Sequence, residues 1–381
     1  MPRTLVPYVQ AFVEHFPVVS LVGPRRTGKT ALAFDALPGS RLLDGERPDL
    51  REELRRDPMG VLSAADRTVI RGAHRIPLLL PALGRLLGAG GKGRFLLLAE
   101  RPLVGEGEDL RGLHSRLWSL PLALDERSTL GMTLDEVLWT GGFPGLLEGR
   151  MPASVWFSEL VGEFLDRDLR SMVDVVDLEG FLGFLRAVAG QTGQGLNVSA
   201  LAKESGIAHG TAKSWLAALE AALWVLPAPA FQHPEKKRLV TSPRLHLVDT
   251  GLACWLLGIE SPKALAAHPL RGWLFQSFVW TELLKGRLHR GAPPGLSHYR
   301  DRKGASVDIV HTGRAGTTLM QVVLVPRASG PTLRTLDRLA TWLEARDPSP
   351  VRRLLVHAGD QRLDYRGVEL VPWREVVEVL G

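Results

Sequence analysis

The sequence predicts an α/β protein of three units: a parallel-sheet α/β unit, a helical unit with a helix-turn-helix, and a second, smaller α/β unit. Three patterns predict it. A β-branched apolar run passes directly into a glycine-rich loop and a helical pattern at residues 16–37. Two helical patterns flank a short glycine-containing turn at 198–226. A helix, three strand-like runs, a helix and two last strand-like runs fill 272–371. The 381 residues, at about 150 per domain, leave room for two or three such units, placed at 1–150, 151–262 and 263–381.

Composition narrows the class. Hydrophobic residues make up 45% and charged ones 23%, which is ordinary globular usage and excludes a disordered chain. The 40 glycines and 26 prolines show no period, which excludes collagen-like sequence. The single cysteine, Cys254, excludes an internal disulfide or a Cys-rich zinc site and fits a reducing compartment. Apolar stretches at 76–87 and 95–99 are broken by Pro81, Arg85 or charge well short of about 18 residues, so no membrane span is expected. Glu14 and His15 stand where a secretory core would be apolar. The expectation is a cytoplasmic protein without a membrane partner. A formal charge of +6 permits nucleic-acid contact without requiring it.

In the first unit, residues 16–22 (FPVVSLV) read as a buried strand and 31–37 (ALAFDAL) as a helix. Between them Gly23, Pro24, Arg25, Arg26, Thr27, Gly28, Lys29 and Thr30 match the phosphate-binding loop G-x-x-x-x-G-K-T, followed by Ala31. Successive backbone N–H groups and a helix N-terminus make an anion cradle. Lys29 is expected to reach the β/γ-phosphates of ATP, and the Thr30 hydroxyl to ligate Mg²⁺. Turnover also needs an acidic strand end. The strand expected at 68–70 instead ends in Arg71 and Gly72, neither of which can ligate a cation. The next strand, 94–99, ends in Glu100 and Arg101. Two readings stay open: a nucleotide binder with weak or no hydrolysis, or an ATPase in which Glu100 has taken over part of the catalytic role.

These residues give the chain a resemblance to the AAA+-like prokaryotic ATPases that carry a C-terminal domain of unknown function with a restriction-endonuclease-like core. The family's GPRxxGKT loop is matched at 23–30, and its Asp-Glu-x-x-x-x-Pro segment at 71–77, where Pro77 is kept and both acids are lost. Its small-Arg-x-x-x-Leu-Pro-Leu segment is matched by Ser115, Arg116 and 120–122, and its Gly-Gly-Phe-Pro turn by 141–144. The resemblance implies that Arg116 touches a phosphate in cis or in a neighbouring subunit, or else serves a structural ion pair. A charged tetrad (166–169), a basic, apolar, Ser-Pro segment (237–244) and Asp249, Gly251 and Leu252 also match. Asp249 reads equally as a helix cap or a functional acid.

The middle unit reads as amphipathic helix from 151 to about 184, then as a helix capped by Ser199, a turn at 208–211 and a second helix, with Lys236, Lys237 and Arg238 where a wing would lie. Near the start of the second helix His209, Thr211, Lys213 and Ser214 offer a single cation, which suits phosphate contact better than base reading. DNA contact and protein–protein packing both remain open. The last unit has the core order of PD-(D/E)XK nucleases, in which an Asp and a Glu-x-Lys hold Mg²⁺. Asp308 occupies the first position, but Gln321, Val322 and Val323 replace the Glu-x-Lys, Gln276 and Ser306 replace two family glutamates, and Glu282 survives. Nuclease activity is not expected.

The leading expectation is therefore an ATP-binding regulatory or scaffolding protein with a protein partner. The alternatives are an active ATPase coupled to DNA or a partner, and a DNA-binding module with a vestigial loop.

Overall fold

The computed structural model describes residues 2–149, 151–173, 177–233, 239–325 and 330–380. β1 (Val18–Val22), β2 (Arg41–Asp44), β3 (Arg67–Arg71), β4 (Arg94–Ala99) and β5 (His114–Trp118) form a five-stranded all-parallel sheet in the order β2-β3-β4-β1-β5. The three inner strands, β3, β4 and β1, bury apolar residues on both faces because helices cover both. Val18, Val22, Ile70, Phe95 and Leu97 pack on one side. Val19, Leu21, Val69, Leu96 and Leu98 pack on the other, with the helices Val6–His15 and Lys29–Ala36. Val22 is level with Ala99 on β4 and with Trp118 on β5. The loop leaving β1 therefore opens beside the residue that follows β4.

The expected strand at 94–99 is present with those bounds, and those at 16–22 and 68–70 are present with shifted ends. The amphipathic segment from 151 to about 184 is not one helix. Ala153–Glu163 runs into a π-helical turn, Phe164–Asp168, then a short 3-10 turn, and Leu178–Gly190 starts afresh with Asp177 accepting from the Gly180 N–H at 2.8 Å. The wider turn re-aims Asp168 inward, where it is buried.

The helices Val198–Glu204 and His209–Ala221 follow, and then β6 (Val225–Ala228) and β7 (Arg244–Leu247), which pair antiparallel. The first of these helices is capped by Asn197, whose side chain accepts from Ala200 N–H at 3.0 Å, and not by Ser199, which lies inside the helix. Lys236, Lys237 and Arg238 lie outside the described residues.

In the last unit the predicted order is found: the helix Arg271–Leu288, β8 (Leu296–Arg300), β9 (Ser306–Gly313), β10 (Gly316–Val323), the helix Gly330–Glu344 and β11 (Val351–His357). β12 (Leu363–Tyr365) and β13 (Val368–Pro372) complete a six-stranded mixed sheet in the order β12-β13-β11-β10-β9-β8. One face of this sheet and the middle helices share a single core, from Leu120 through Phe164, Trp215 and Phe278 to Val379.

Two motifs that the sequence leaves separate meet in space. Asp249 caps the helix Thr250–Leu256, accepting from Leu252 N–H at 3.0 Å, and also accepts from Gly142 N–H at 2.7 Å. Gly141 sits at φ +72°, and a Cβ there would fall 2.1 Å from Asp249 Oδ1. We expect Gly141→Ala to lower the stability measured by urea unfolding by about 2–3 kcal/mol, combining the left-handed backbone cost with forced displacement of a buried carboxylate. Wild-type stability would show that the turn rearranges freely.

Candidate functional site

The glycine loop wraps the exit of β1. Gly28, at φ +84°, precedes the helix Lys29–Ala36, and Arg26 also adopts a left-handed backbone, at φ +59°. Alternating hand of this kind turns successive N–H groups to one side and makes an anion nest. Gly23 admits no side chain, because a Cβ would lie 1.9 Å from the Ser119 carbonyl at the end of β5. Thr27 Oγ1 donates to Pro24 O at 3.1 Å and tightens the loop from inside.

Lys29 is buried, and its Nζ donates to Gly23 O at 2.8 Å and Pro24 O at 2.7 Å. It lies 3.5 Å from Glu100 Oε1, while Glu100 Oε2 lies 3.0 Å from His74 Nδ1. Burial lowers the Lys29 pKa, and Glu100 opposes that. Burial alone would raise the Glu100 pKa, but Lys29, His74 and Arg25 outweigh it and hold the carboxyl well below the usual range. Glu100 is therefore an anion that balances the loop lysine.

The mouth of the loop is closed by acids from elsewhere in the chain. Arg25 forks onto Asp168, with Nε at 2.6 Å and Nη2 at 2.9 Å, and reaches Glu46 at 3.3 Å. Arg75 donates to the same two carboxylates, at 3.2 Å to Asp168 and 3.1 Å to Glu46. Arg26 donates to Glu163 at 2.8 Å and Glu159 at 3.2 Å and lies 5.5 Å from the centre of the Trp156 ring. These contacts offset the strain of its backbone, about 1–2 kcal/mol. From behind, Arg3 donates to Thr27 O at 2.7 Å.

A cavity of about 250 Å³ remains, lined by residues 25–31 with Arg71, Leu98, Glu100 and Glu163. Of the residues predicted from sequence, the structure thus brings Arg25, Arg26, Thr27, Gly28, Lys29, Thr30, Ala31 and Glu100 together, with Gly23 and Pro24 at the loop's base. Arg116 is not among the lining residues. It is exposed on β5, level with Ser20, with its guanidinium 5.4 Å from the Trp118 ring. Arg71 does end β3, and it forks onto Asp44 of β2 at 2.5 and 3.0 Å.

The nest and Lys29 fit a polyphosphate. For Mg²⁺ the chain offers Thr30, and no group of three or more His, Cys, Asp or Glu side chains able to hold a metal occurs among the described residues. A cation here would depend on phosphate oxygens and water for its remaining ligands, which Mg²⁺ tolerates.

Sequence reasoning missed Arg3, Glu46, His74, Glu163 and, as a site residue, Asp168. His74 lies three residues beyond Arg71, just past the strand end where an acid was expected from sequence, and that position was its one signal. The others reach the loop through long-range contacts that no local pattern announces.

In the last unit Asp308 does not face a cation site. Its Oδ1 receives Arg244 Nη1 at 2.9 Å and its Oδ2 receives Val322 N–H at 3.0 Å. Gln321 donates to Ser306 O at 2.6 Å. Glu282 is held by Leu124 N–H at 2.6 Å and Lys285 at 2.9 Å. Two imidazoles crowd Arg244: His246, stacked on Trp280 with 4.5 Å between centroids, and His298, bonded to Ser242 O at 3.1 Å. Burial and the Arg244 charge hold His246 well below its ordinary pKa and push His298 down to about 4.

A depressed folded-state pKa means that the unfolded chain takes up the proton first. The stabilising contribution is thus complete above about pH 6.5 and lost as pH falls toward about 4. Urea midpoints should fall across that window, and His298→Asn should flatten the fall. A flat wild-type profile would overturn this.

Residues 132–263 match a family described as "Domain of unknown function (DUF8612)", and residues 271–376 match "Domain of unknown function (DUF4143)". Two mycobacterial relatives, "Uncharacterized protein Rv2008c" of Mycobacterium tuberculosis and "Uncharacterized protein Mb2031c" of Mycobacterium bovis, are each 32% identical over 307 residues, covering 77% of this chain and 67% of theirs. Among solved structures, the Walker-type ATPase paby2304 of Pyrococcus abyssi aligns over 66% of this chain and 94% of its own at 14% identity, with a TM-score of 0.45. The STAND protein PH0952 of Pyrococcus horikoshii, with a tetratricopeptide repeat sensor, aligns over 72% and 44% at 10% identity, with a TM-score of 0.27. No helix among the described residues is long and apolar enough to cross a membrane.

Proposed function

The chain belongs to the family of these two mycobacterial proteins, and we propose that it binds ATP through the loop at 23–30, hydrolyses it slowly or not at all, and acts as a nucleotide-dependent regulatory or scaffolding protein. The observation that carries this reading is the exit of β3. Arg71 stands there, bound to Asp44, where hydrolysis needs a carboxylate to hold Mg²⁺ and direct water. The cradle supports binding, and Thr30 would hold the Mg²⁺ that accompanies the nucleotide.

Regulation fits the way the loop is tied down. Asp168 and Glu163 come from the helices that follow the first sheet, and both grip loop arginines. Phosphates entering the nest compete with these carboxylates for Arg25 and Arg26. Occupancy would then favour a state in which the middle helices are released, which gives a ligand the differential affinity a switch requires. In this reading the units 1–150, 151–262 and 263–381 are an AAA+-like domain, a winged-helix domain and a PD-(D/E)XK-like domain without a working metal centre.

A second reading, an active ATPase, is favoured by Glu100, an ionised carboxylate lining the cavity 3.5 Å from Lys29. Phosphate release from ATP and Mg²⁺ separates the two. We expect wild type to release no more than the Lys29→Ala variant, and Glu100→Gln to change nothing. Sustained release that Glu100→Gln abolishes would overturn the preferred reading. DNA contact through His209 and Lys213, exposed on the second helix of the pair, would show as salt-dependent binding that ignores nucleotide.

A further inference from the structure

A cavity of about 720 Å³ lies in the last unit, between the C-terminal end of the helix Arg271–Leu288, the tip of the β9–β10 hairpin and the start of β11. The buried Leu283 and Val377 give it an apolar floor, and the exposed Pro293 and Pro350 also line it. Its charged lining is of one sign: Arg287, Arg290, Arg314 and Arg352 contribute, and no Asp or Glu does. Two of these cations are already neutralised from outside the cavity, Arg290 by Asp125 at 2.9 Å and Arg352 by Glu369 at 3.1 Å. Arg287 and Arg314 form no ion pair among the described residues. Arg287 spends only its Nε, on Pro293 O at 2.8 Å.

The third polar group is His311, which is buried and lines the same cavity. Its Nε2 has no hydrogen-bond partner among the described residues. The ring occupies space that two glycines leave open, since a Cβ on Gly313 would fall 2.7 Å from His311 Cε1 and one on Gly295 3.4 Å from His311 Nε2. Burial and the neighbouring Arg287 hold this imidazole below its ordinary pKa, and burial lowers that of Arg287 itself. Two guanidiniums without an ion pair and an imidazole whose Nε2 lacks a partner are therefore gathered around an apolar floor, with no carboxylate in the lining.

Such a one-signed lining raises the local potential and favours an anion. We propose that this cavity is a binding site for a phosphate-bearing small molecule of nucleotide size, with Arg287 and Arg314 forking onto the phosphate, the His311 ring in the wall and the apolar floor under the body of the ligand. Guanidinium forks match phosphate oxygens in pairs. The volume falls within the range of about 300–1,000 Å³ that suits one small molecule. Two unpaired cations favour a doubly charged phosphate over a single carboxylate. The site involves none of the residues of the glycine loop and does not depend on how that loop is read.

The test uses the full chain carrying Lys29→Ala, so that the glycine loop is silenced, and calorimetric titration with AMP, inorganic phosphate, adenosine and N-acetyl-aspartate. AMP should bind, adenosine should not, and Arg287→Gln or Arg314→Gln should each weaken AMP about tenfold, the loss of one charge-assisted contact. Their melting temperatures should match the parent's. In the unaltered chain, inorganic phosphate should shift the His311 ring resonances, assigned by their loss in His311→Asn, which keeps the test decisive if Lys29→Ala folds poorly. No binding of AMP or phosphate at millimolar concentration would overturn the proposal. So would AMP binding indifferent to both arginine variants, or N-acetyl-aspartate binding as tightly as AMP.

Discussion

Alanine at position 29 should cost about 100-fold in ATP affinity, read by titration with a fluorescent ATP analogue. The lysine is buried at the base of the nest, and its Nζ is held by two loop carbonyls and Glu100. When a polyphosphate enters, the ammonium can exchange those neutral carbonyls for anionic oxygens. Two such charge-assisted bonds, at about 1.5 kcal/mol each, give roughly that factor. The same change leaves Glu100 buried without its closest cation, so some stability should be lost as well. The double variant Lys29→Ala/Glu100→Gln removes the stranded charge and should recover most of that stability while ATP binding stays lost. This separates a binding role from a folding one. Undiminished affinity in Lys29→Ala would mean that phosphates do not occupy this nest.

The loop itself was legible because strand, glycines, lysine and helix are all local. The acids that guard it were not. Asp168 reaches Arg25 across 143 residues, and Arg3 reaches Thr27 only because the chain's first helix lies against the one that follows the loop. Of the sheet, the sequence predicted the three central strands, where apolar runs are buried on both faces. β2 and β5, the edge strands, were missed: RLLD has one buried residue and HSRLW one, and an edge strand with a wet face has little pattern to read. The amphipathic spacing over 151–184 continues through the π turn at Phe164–Asp168, so the sequence pattern carries no sign of the break there. In the last unit the sequence shows Gln321 and Val323 where a Glu-x-Lys pair is expected, but not what pairs with Asp308. Arg244, 64 positions from Asp308, supplies the positive charge from β7.

The second large effect is expected at Glu126, where alanine should reduce stability by about 3–5 kcal/mol, the usual result of removing one partner from a buried charge pair. Glu126 is fully enclosed. Its Oε1 accepts from Arg3 Nε at 3.1 Å and Thr4 N–H at 2.8 Å, and its Oε2 accepts from Ala123 N–H at 2.9 Å and lies 3.0 Å from His289 Nδ1. Burial would raise its pKa, but His289, Arg3 and the Ala123 amide more than reverse this and bring it to about 2. At His289 burial wins over Glu126 and lowers the pKa, and Arg3 supplies a permanent positive charge on the other oxygen of the carboxylate. The stability that Glu126 supplies is present above about pH 4.3 and disappears as pH falls toward 2, so the penalty of Glu126→Ala, read from urea melts, should shrink over that interval. A constant penalty would point to lost packing. Arg3 also holds Thr27 O inside the glycine loop and Leu120 O at the start of the shared core, and His289 ends the helix of the last unit. Glu126 thus joins the glycine loop, through Arg3, to the end of the last unit's long helix, through His289. Glu126→Gln keeps the shape but not the charge, so it should loosen Arg3 and weaken ATP binding even at temperatures where the chain stays folded. If that variant binds ATP like wild type, the network is structural alone, and the loop's ties to the middle helices rest on Asp168, Glu163 and Glu159.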